Sequence, residues 1–451
     1  MADNKKLREK RQKQAAQIKE EQRKSEADRS EVLEKLQEKH SEYLKDATKA
    51  IRNGDTSTAD RLNENAATLK KVIDKGGLGT TNANLKKLIA EVEFQMVAKT
   101  AVVSFIVVFG FIKAFTNYFM GKFANKYGRK RMLVLGWLFA IPVPFLLLFA
   151  QSWNWIICAN VFLGINQGLA WSSTVIMKID LVGPKKRGFA MGINEAAGYL
   201  AVGFFAYTSA WIASKYGIHP YPFYISFVLV ILGLTTSLFF VKDTTEFVSL
   251  EEKESQTPKL KHVFRATTLS NSNLSSITVA GMVNNLNDGM MWGLLPMLLA
   301  TQKFSLTTIG FLAALYPAIW GFGQLFTGSL SDKYAKKNLL IMGMLTQALG
   351  ILLIAYFSSF ALIAIAAILL GIGTALVYPT FLAAIADYSH PQQRAECIGV
   401  YRLWRDLGYA FGAIASGLLA DVFGLQAAFI VIAVVTFAGG LQIAFRMNAK
   451  G

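Results

Sequence analysis

Six charged residues lie inside long apolar stretches of the sequence, where a charge is costly and usually serves a function. These are Lys113, Glu195, Asp288, Arg402, Arg405 and Asp406. Opposite charges in such an interior can form ion pairs, and a buried carboxyl group can gain or lose a proton as its surroundings change. The sequence shows no nucleophile triad, phosphate-binding loop or metal-ligand spacing. We therefore expect proton and ion-pair chemistry, and no enzyme activity, cofactor or metal site.

Glu195 and Arg402 lie 207 residues apart, an interval that recurs in the motifs described below. A central ion pair between them could open and close during function, or it could hold the structure together statically. Arg402 and Asp406 are one helical turn apart, so they can meet on one face. We predict that Asp406, near the middle of its apolar stretch, carries a proton. A permanent salt bridge to Arg402 or Arg405 is the alternative.

Other polar residues within apolar stretches are predicted to line a cavity between helices. Lys113, one turn from Asn117, could hold an anionic substrate, pair with Glu195 or extend to the membrane surface. The dense asparagines beside Asp288 suit either a polar solute or hydrogen bonds between helices. The predicted cavity residues are Lys113, Asn117, Asn160, Asn166, Gln167, Trp171, Asn194, Asn284, Asn285, Asp288, Tyr378 and Trp404.

The elements that must position these residues are membrane-spanning helices. The chain has 451 residues, of which 53% are hydrophobic, and from Thr100 onward its apolar runs reach the ~20 residues that cross a bilayer. We predict an all-α polytopic membrane protein with eleven spans. They are Thr100–Met120, Met132–Ala150, Trp153–Ile179, Phe189–Ala213, Tyr221–Val241, Leu274–Leu299, Ile309–Leu330, Asn338–Phe357, Phe360–Ala386, Glu396–Ala420 and Gly424–Phe445.

Two motifs recur at the 207-residue interval. Gly121-Lys-Phe-Ala-Asn125-Lys-Tyr-Gly128-Arg129-Lys130 is echoed by Gly328-Ser-Leu-Ser-Asp332-Lys-Tyr-Ala-Lys336-Lys337, and the loop from Asp180 to Arg187 is echoed by that from Asp387 to Arg394. A constant offset between landmarks indicates a duplicated unit of about 200 residues. We predict four regions: a hydrophilic extension (1–95), a first membrane half (96–241), a linker (242–273) and a second membrane half (274–451).

The formal net charge is +17, and Lys and Arg gather in alternate loops. By the positive-inside rule, the loops that carry the duplicated motifs, the linker and the C-terminus lie in the cytoplasm. The basic balance therefore reports topology, and no nucleic-acid partner is expected. Cys158 and Cys397 lie in or beside membrane segments and indicate no disulfide framework. No signal peptide is evident at the start of the chain.

The Gly-x-Leu-x-Asp-x-x-Gly-Arg-Lys pattern of the first duplicated motif resembles the signature loop of the major facilitator superfamily, and the Asp-x3-Pro-x2-Arg-Gly loops are also similar to it. The resemblance covers roughly residue 91 to the C-terminus. The resemblance implies a bundle of twelve helices in two pseudo-symmetric halves that moves a solute by alternating access, with gating loops on the cytoplasmic side. The loop positions it implies are Gly121, Asn125, Gly128, Arg129, Lys130, Asp180, Arg187, Gly328, Asp332, Lys336, Lys337, Asp387 and Arg394.

Four features depart from the family pattern. Asn125 replaces the signature acid of the first copy, and Asn160 stands where the fourth helix usually has a basic residue. A Gly-Pro antiporter motif is absent from the stretch 192–203. The first helix should fall near residues 67–92, which are too charged to cross a bilayer.

Residues 1–95 are rich in both bases and acids. Leu33, Leu36, His40, Leu44, Ala47 and Ile51 recur at helical spacing. A solvated, partly disordered helical extension and a coiled coil that binds a protein partner are both compatible with this pattern.

The sequence thus predicts a multi-pass protein of the cytoplasmic (inner) membrane. We expect a secondary active transporter, driven by protons, for a small polar, charged or drug-like solute. Two alternatives remain: a membrane sensor or scaffold that acts through the N-terminal helices, and an inactive fusion that lacks helix 1.

Overall fold

The computed structural model describes residues 104–217 and 219–448, together with 34, 36–38, 40–49, 51–52, 63, 66–67, 69–71 and 73–74. The chain divides into two compact units, Met1–Ala98 and Lys99–Gly451. In the first unit, residues 40–49 and 51–52 are helical. Leu36 and Ala47 of the predicted helical stripe are buried, whereas Leu44 and Ile51 are exposed. The predictions of a coiled coil and of a lost first span fall largely outside the described residues.

The second unit consists of helices, whose bounds are as follows: α1 (Ser104–Tyr127), α2 (Arg129–Ala140), α3 (Pro142–Leu148), α4 (Trp153–Val182), α5 (Arg187–Tyr216), α6 (Tyr221–Phe239), α7 (Thr245–Glu254), α8 (Ser272–Thr301), α9 (Leu306–Lys333), α10 (Lys336–Tyr356), α11 (Phe360–Asp387), α12 (Arg394–Phe423) and α13 (Leu425–Arg446). Short helical turns occupy Pro184–Lys186, Val263–Arg265, Ala266–Ser270 and Pro391–Gln393.

Each of the eleven predicted spans coincides with a long helix, once α2 and α3 are taken as one span interrupted before Pro142. A proline removes a backbone donor, so it favours such a break. Within the described residues, eight helices are long and apolar enough to cross a membrane. The three long helices outside that set are α1, α4 and α8, which contain Lys113, Asn166 and Asp288 respectively. Polar groups inside the bundle are not confined to these three helices, because α5 and α12, which carry Glu195 and Asp406, belong to the set of eight.

The two halves, α1–α6 and α8–α13, meet mainly along two helix pairs, α1 with α12 and α5 with α9. Both crossings depend on glycine. A Cβ at Gly121 would lie 2.5 Å from the Ala395 carbonyl oxygen and 2.7 Å from Gly399 Cα. At the equivalent crossing, a Cβ at Gly192 would lie 2.9 Å from Gly328 Cα. Glycine thus lets the backbones of the two halves touch at equivalent positions.

Outer helices have a different character. Helix α6 carries exposed apolar side chains along its length, among them Val228, Ile231, Leu232 and Phe239. It contacts α2, α3 and α5 of its own half. Exposed apolar surface of this extent suits contact with lipid.

Candidate functional site

At the centre of the bundle, the two halves are joined by a charge pair. Glu195 on α5 and Arg402 on α12 are both fully buried, and Arg402 Nη2 lies 3.7 Å from Glu195 Oε1. The same carboxylate oxygen accepts hydrogen bonds from Trp171 Nε1 at 3.0 Å and Asn194 Nδ2 at 2.8 Å. Residues 207 apart in the chain thus face one another, as the repeat predicted.

Asp406 is the most heavily bonded carboxylate of the centre. Arg405 donates to its Oδ1 from Nε at 2.7 Å and from Nη2 at 2.6 Å. Asn285 donates to the same oxygen at 3.2 Å, and Asn117 donates to Oδ2. The expected contact of Asp406 with Arg402 is not among its ion pairs, because Arg405 takes that place. A carboxylate with this many donors is stabilised in its ionised form.

Asp288 on α8 has a different set of partners. Its oxygens accept from the hydroxyl of Tyr316 and, at 3.4 Å, from the hydroxyl of Tyr409. Among the described residues, no cation lies within ion-pair distance of it. It is fully buried. The centre therefore holds two acids paired with arginine, Glu195 and Asp406, and a third held by neutral hydroxyls.

Lys113 on α1 is 5% exposed, so it does not extend to the membrane surface. Its ammonium lies 5.2 Å from the ring centroid of Phe109, 5.6 Å from that of Trp171 and 5.7 Å from that of Tyr409. These are cation–π distances. Within the described part of the chain it has no hydrogen-bonded or ion-pair partner, and the alternative pair with Glu195 is not formed.

The polar residues of α8 divide between two faces. Asn285 and Asp288 face the centre, whereas Asn284 accepts from Gln347 Nε2 at 2.8 Å and Asn287 donates to Gln347 Oε1 at 2.9 Å. Gln347 belongs to α10, so the second pair makes helix–helix hydrogen bonds. The explanation by hydrogen bonds between helices therefore applies to Asn284 and Asn287, and contact of Asn285 and Asp288 with a solute stays a prediction.

Several predicted cavity residues contact other parts of the bundle. Asn160 bonds to the Ile156 carbonyl of its own helix. Asn166 donates to the Gly136 carbonyl of α2 at 3.0 Å, and Trp404 donates to Thr268 before α8 at 3.0 Å. These three side chains leave the centre because their position on the helix turns them toward a neighbour. Gln167 has no hydrogen bond among the described residues and is half-buried.

An aromatic wall borders the charges. It comprises Trp171, Tyr199, Trp320 and Tyr378. Tyr199 lies with its ring centroid 3.7 Å from that of Trp320 and donates from its hydroxyl to that of Tyr378 at 2.8 Å. The Arg405 guanidinium lies 5.3 Å from the Tyr378 ring centroid. Tyr378 was expected here.

Other members of the centre were not predicted from the sequence. Ser172 accepts from Arg402 Nη1 at 3.0 Å and donates to Asn117, and so links the arginine to the amide that holds Asp406. Tyr316 could have been found, because Tyr316-Pro317 repeats the Tyr378-Pro379 pair. A single serine in an apolar helix carries no comparable signal.

The duplicated loops lie at one end of the bundle, here called the basic end. Asp332 accepts from the backbone nitrogens of Gly188 at 2.8 Å and Phe189 at 2.9 Å, and so caps the first turn of α5. At the equivalent place Asn125 donates to the Gln392 carbonyl at 2.7 Å. Asp332 is thus an anionic cap that accepts hydrogen bonds, whereas Asn125 at the equivalent position donates one.

Ion pairs between equivalent residues cross from one half to the other. Arg187 lies 3.2 Å from Asp387, and Arg394 lies 3.8 Å from Asp180. Each of these acids also has a cation of its own half: Arg129 lies 3.2 Å from Asp180, and Lys336 lies 2.9 Å from Asp387. Within the described residues, Lys130 and Lys337 take no part in an ion pair.

A linker residue joins the two arginines. Glu251, on α7, accepts from Arg187, from Arg394 Nη2 at 2.6 Å and from Arg394 Nη1 at 2.8 Å. Burial pushes the pKa of Glu251 upward, but the hydrogen bond from Arg394 and the charges of Arg394 and Arg187 outweigh it and hold the pKa below its ordinary value. From the sequence, Glu251 was predicted to lie in the linker, without any role in contacts between the halves.

Gly128 fixes a second linker contact. Its φ is +84°, a conformation that favours glycine, and a Cβ there would lie 2.7 Å from Asp243 Oδ2. The same oxygen accepts from Lys130 N at 2.9 Å. Burial of Asp243 is outweighed by hydrogen bonds from Thr245 and Lys130 and by the Arg129 charge, so its pKa is lowered.

The sequence profile of the Major Facilitator Superfamily matches residues 84–275 and 277–449. The chain belongs to this superfamily. It is 24% identical to an uncharacterized MFS-type transporter of Methanocaldococcus jannaschii, over 68% of this chain and 78% of that protein. It is 23% identical to multidrug resistance protein MdtG of Escherichia coli, over 71% of this chain and 78% of that protein.

Among solved structures, the crystal structure of the human organic anion transporter MFSD10 (TETRAN) matches with a TM-score of 0.62 and 16% identity. The match covers 91% of this chain and 96% of that one. The protein is therefore an all-α, multi-pass membrane transporter of the major facilitator superfamily.

Proposed function

We propose that this superfamily member is a secondary active transporter that moves a small solute by alternating access and couples that movement to protons. One observation carries the proposal: ionisable side chains from both halves meet at the buried centre, where Glu195 faces Arg402. Because each half contributes one partner, a rocking motion of the halves would separate and rejoin the pair. Ionisable groups on such a path are the usual proton carriers.

The basic end is the proposed cytoplasmic gate. It is closed by ion pairs between the halves and by the carboxylate of Glu251. Its excess of Lys and Arg supports a cytoplasmic location, and hence a protein of the cytoplasmic (inner) membrane. The gating roles predicted for the duplicated loops belong to this proposal.

The named relatives point to different solutes, multidrug substrates in one case and organic anions in the other. The proposed solute of this protein is therefore a small polar, charged or drug-like molecule. A protein partner for residues 1–95 remains a prediction.

The test measures both ends of the bundle in one preparation. Cys158 and Cys397 are replaced by Ser and Ala, and nitroxide labels are placed at Lys126 and Lys333 on the basic end. A second sample is labelled at Lys215 and Thr301 on the opposite end. All four sites are exposed. Electron–electron double resonance then measures the distance between the labels of each pair at several pH values from 5 to 8.

Alternating access predicts two distance populations at each end, which change with pH in opposite directions. Distances that change together at both ends, or that do not change in any condition, would exclude the proposed mechanism.

A further inference from the structure

The centre has more unused donors than acceptors. Arg402 Nε and Nη2 and Arg405 Nη1 are buried without a hydrogen bond, whereas the one central carboxylate oxygen without a partner is Glu195 Oε2. Lys113 adds an ammonium 5.2–5.7 Å from three aromatic ring centroids, with no hydrogen bond or ion pair among the described residues. Buried donors without partners are costly. They suit a ligand that brings acceptor oxygens, and because the donors are cationic, an anion would bind them more strongly than a neutral acceptor.

Asp288 is better suited than the other two acids to hold a proton. Asp406 is bound by Arg405 through two nitrogens, and Glu195 faces Arg402. Only Asp288 is held entirely by hydroxyl groups. A protonated carboxyl can remain in such a setting, since neutral hydroxyls both donate and accept.

The charged and titratable groups that face Asp288 come from four helices. Lys113 lies on α1, Tyr316 on α9, Tyr378 on α11, and Arg405, Asp406 and Tyr409 on α12. Within the described residues, no cation among them lies within ion-pair distance of it.

The balance of charge then couples the proton to the anion. The buried centre has three cations, Lys113, Arg402 and Arg405, and three acids, Glu195, Asp288 and Asp406. Lys178 donates to Asn194 Oδ1 at 2.7 Å, and Asn194 in turn donates to Glu195. Its side chain is only half-buried, so water can solvate its charge, and it is not counted. A net charge in a low-dielectric interior is strongly disfavoured. A bound proton alone leaves a net positive charge, and a bound monoanion alone leaves a net negative one. Only both together, or neither, keep the centre neutral.

We propose that the centre carries one monoanionic organic solute together with one proton, with the proton on Asp288 and the anionic group between Lys113, Arg402 and Arg405. This inference rests on the proposed transport function and adds to it a substrate class and an electroneutral symport. The aromatic wall borders the cations: the Tyr378 ring centroid lies 5.3 Å from the Arg405 guanidinium, and that of Trp171 lies 5.6 Å from the Lys113 ammonium. A solute with a planar apolar body would suit contact with these rings.

The first test uses three flat probes of similar size: benzenesulfonate, which stays a monoanion at every pH used, neutral benzenesulfonamide and cationic benzamidine. Isothermal titration calorimetry of the full-length protein in two buffers of different ionisation enthalpy measures affinity and proton uptake together. We expect benzenesulfonate to bind at least about tenfold more tightly than the other two. We also expect it to take up one proton per anion. Preferred binding of benzamidine, or no binding of benzenesulfonate, would overturn the inference.

Two variants assign the roles. Asp288→Asn should bind benzenesulfonate without proton uptake. Lys113→Gln should weaken the binding of benzenesulfonate about tenfold and leave the affinity for benzenesulfonamide unchanged. Lys122 is exposed on the same helix, so Lys122→Gln should change neither affinity. Proton uptake that persists in Asp288→Asn would exclude Asp288. The two-buffer result on the unaltered protein keeps the coupling testable if that variant fails to fold.

Transport in proteoliposomes tests whether the symport is electroneutral. A pH gradient should accumulate benzenesulfonate, and a potential imposed with valinomycin and potassium should not, because the loaded centre is neutral. Accumulation driven by the potential would overturn the electroneutral scheme. The label distances at the two ends do not depend on the probe, so failure of this inference is distinguishable from failure of the proposed function.

Discussion

Arg187 and Arg394 occupy equivalent positions in the two halves and donate to the same carboxylate, that of Glu251. Each arginine also lies beside an acid of the opposite half, Asp387 or Asp180. The side chains of both arginines are no more than 4% exposed. The linker is therefore part of the contact between the halves, besides connecting them in the chain.

Neutralising this carboxylate should favour opening of the basic end. Glu251→Gln removes the charge that both arginines share, at a cost of about 1.5 kcal/mol to the closed arrangement, the lower end for hydrogen bonds to charged groups. That shifts the ratio of closed to open forms about tenfold. The measurement is the distance between labels at Lys126 and Lys333.

Glu252→Gln is the matched control, because Glu252 bonds to Lys259 and Gln392 and not to the buried arginines. It should change the ratio little. Equal effects of the two substitutions would mean that the shared carboxylate has no special role in closure.

A low pH should favour opening of the basic end, as Glu251→Gln does. The pKa of Glu251 lies below its ordinary value of 4.5 when the arginines surround it, and it returns toward 4.5 when they move away. Its contribution to closure is therefore fully present above about pH 4.5 and is lost as pH falls through the lowered pKa.

The distance between Lys126 and Lys333 should thus lengthen progressively below about pH 4.5. In Glu251→Gln this acid-dependent part should vanish. An unchanged acid response in the variant would assign the titration to another group.

The spans and the repeat could be predicted because they depend on local properties of the chain. Apolar runs of bilayer length predicted ten long helices and the span that is divided into α2 and α3. The 207-residue interval predicted the contact of Glu195 with Arg402. The orientation of individual polar side chains could not be predicted as well. Asn284 and Asn285 are neighbours, yet one bonds to α10 and the other to Asp406, because successive residues of a helix point about 100° apart.

The contacts made by the linker could not be predicted from the sequence for another reason. Glu251 is one of several acids in a polar stretch, and nothing local marks it as the one that meets both arginines. Asn125 was recognised as a departure, but only the structure shows its amide donating to the Gln392 carbonyl.

The anionic cap at the start of α5 should matter more than the amide that replaces it in the other half. Asp332→Asn removes one of the two carboxylate oxygens that accept from Gly188 and Phe189, and also the favourable charge at a helix N-terminus. The expected loss is about 0.5–2 kcal/mol. Thermal unfolding in detergent should show it as a lower midpoint.

Asn125→Ala is the comparison, since it removes only an exposed hydrogen bond. A loss as large as that of Asp332→Asn would contradict the assignment of the cap.

A single added methyl group should disturb the crossing of α1 and α12. In Gly121→Ala the new Cβ would lie 2.5 Å from the Ala395 carbonyl oxygen, a backbone atom that cannot move by itself. The helices must separate, at a cost of about 1–3 kcal/mol for overpacking. Gly203→Ala, on α5, has open space around the new Cβ and should be neutral or slightly stabilising in a helix. Thermal unfolding of both variants checks this, and equal midpoints would refute the close approach.

Asp406 and Asp288 should differ in what their neutralisation costs. Asp406→Asn leaves Arg405 buried without its counter-ion, and removal of one partner of a buried pair typically costs about 3–5 kcal/mol. Asp288→Asn leaves two hydroxyl groups that can still bond to an amide, so its cost should be about 1 kcal/mol or less. Thermal unfolding at pH 7 distinguishes the two. If Asp288→Asn were the more destabilising, Asp288 would be a structural anion, and the proton would have to be sought on Glu195 or Asp406.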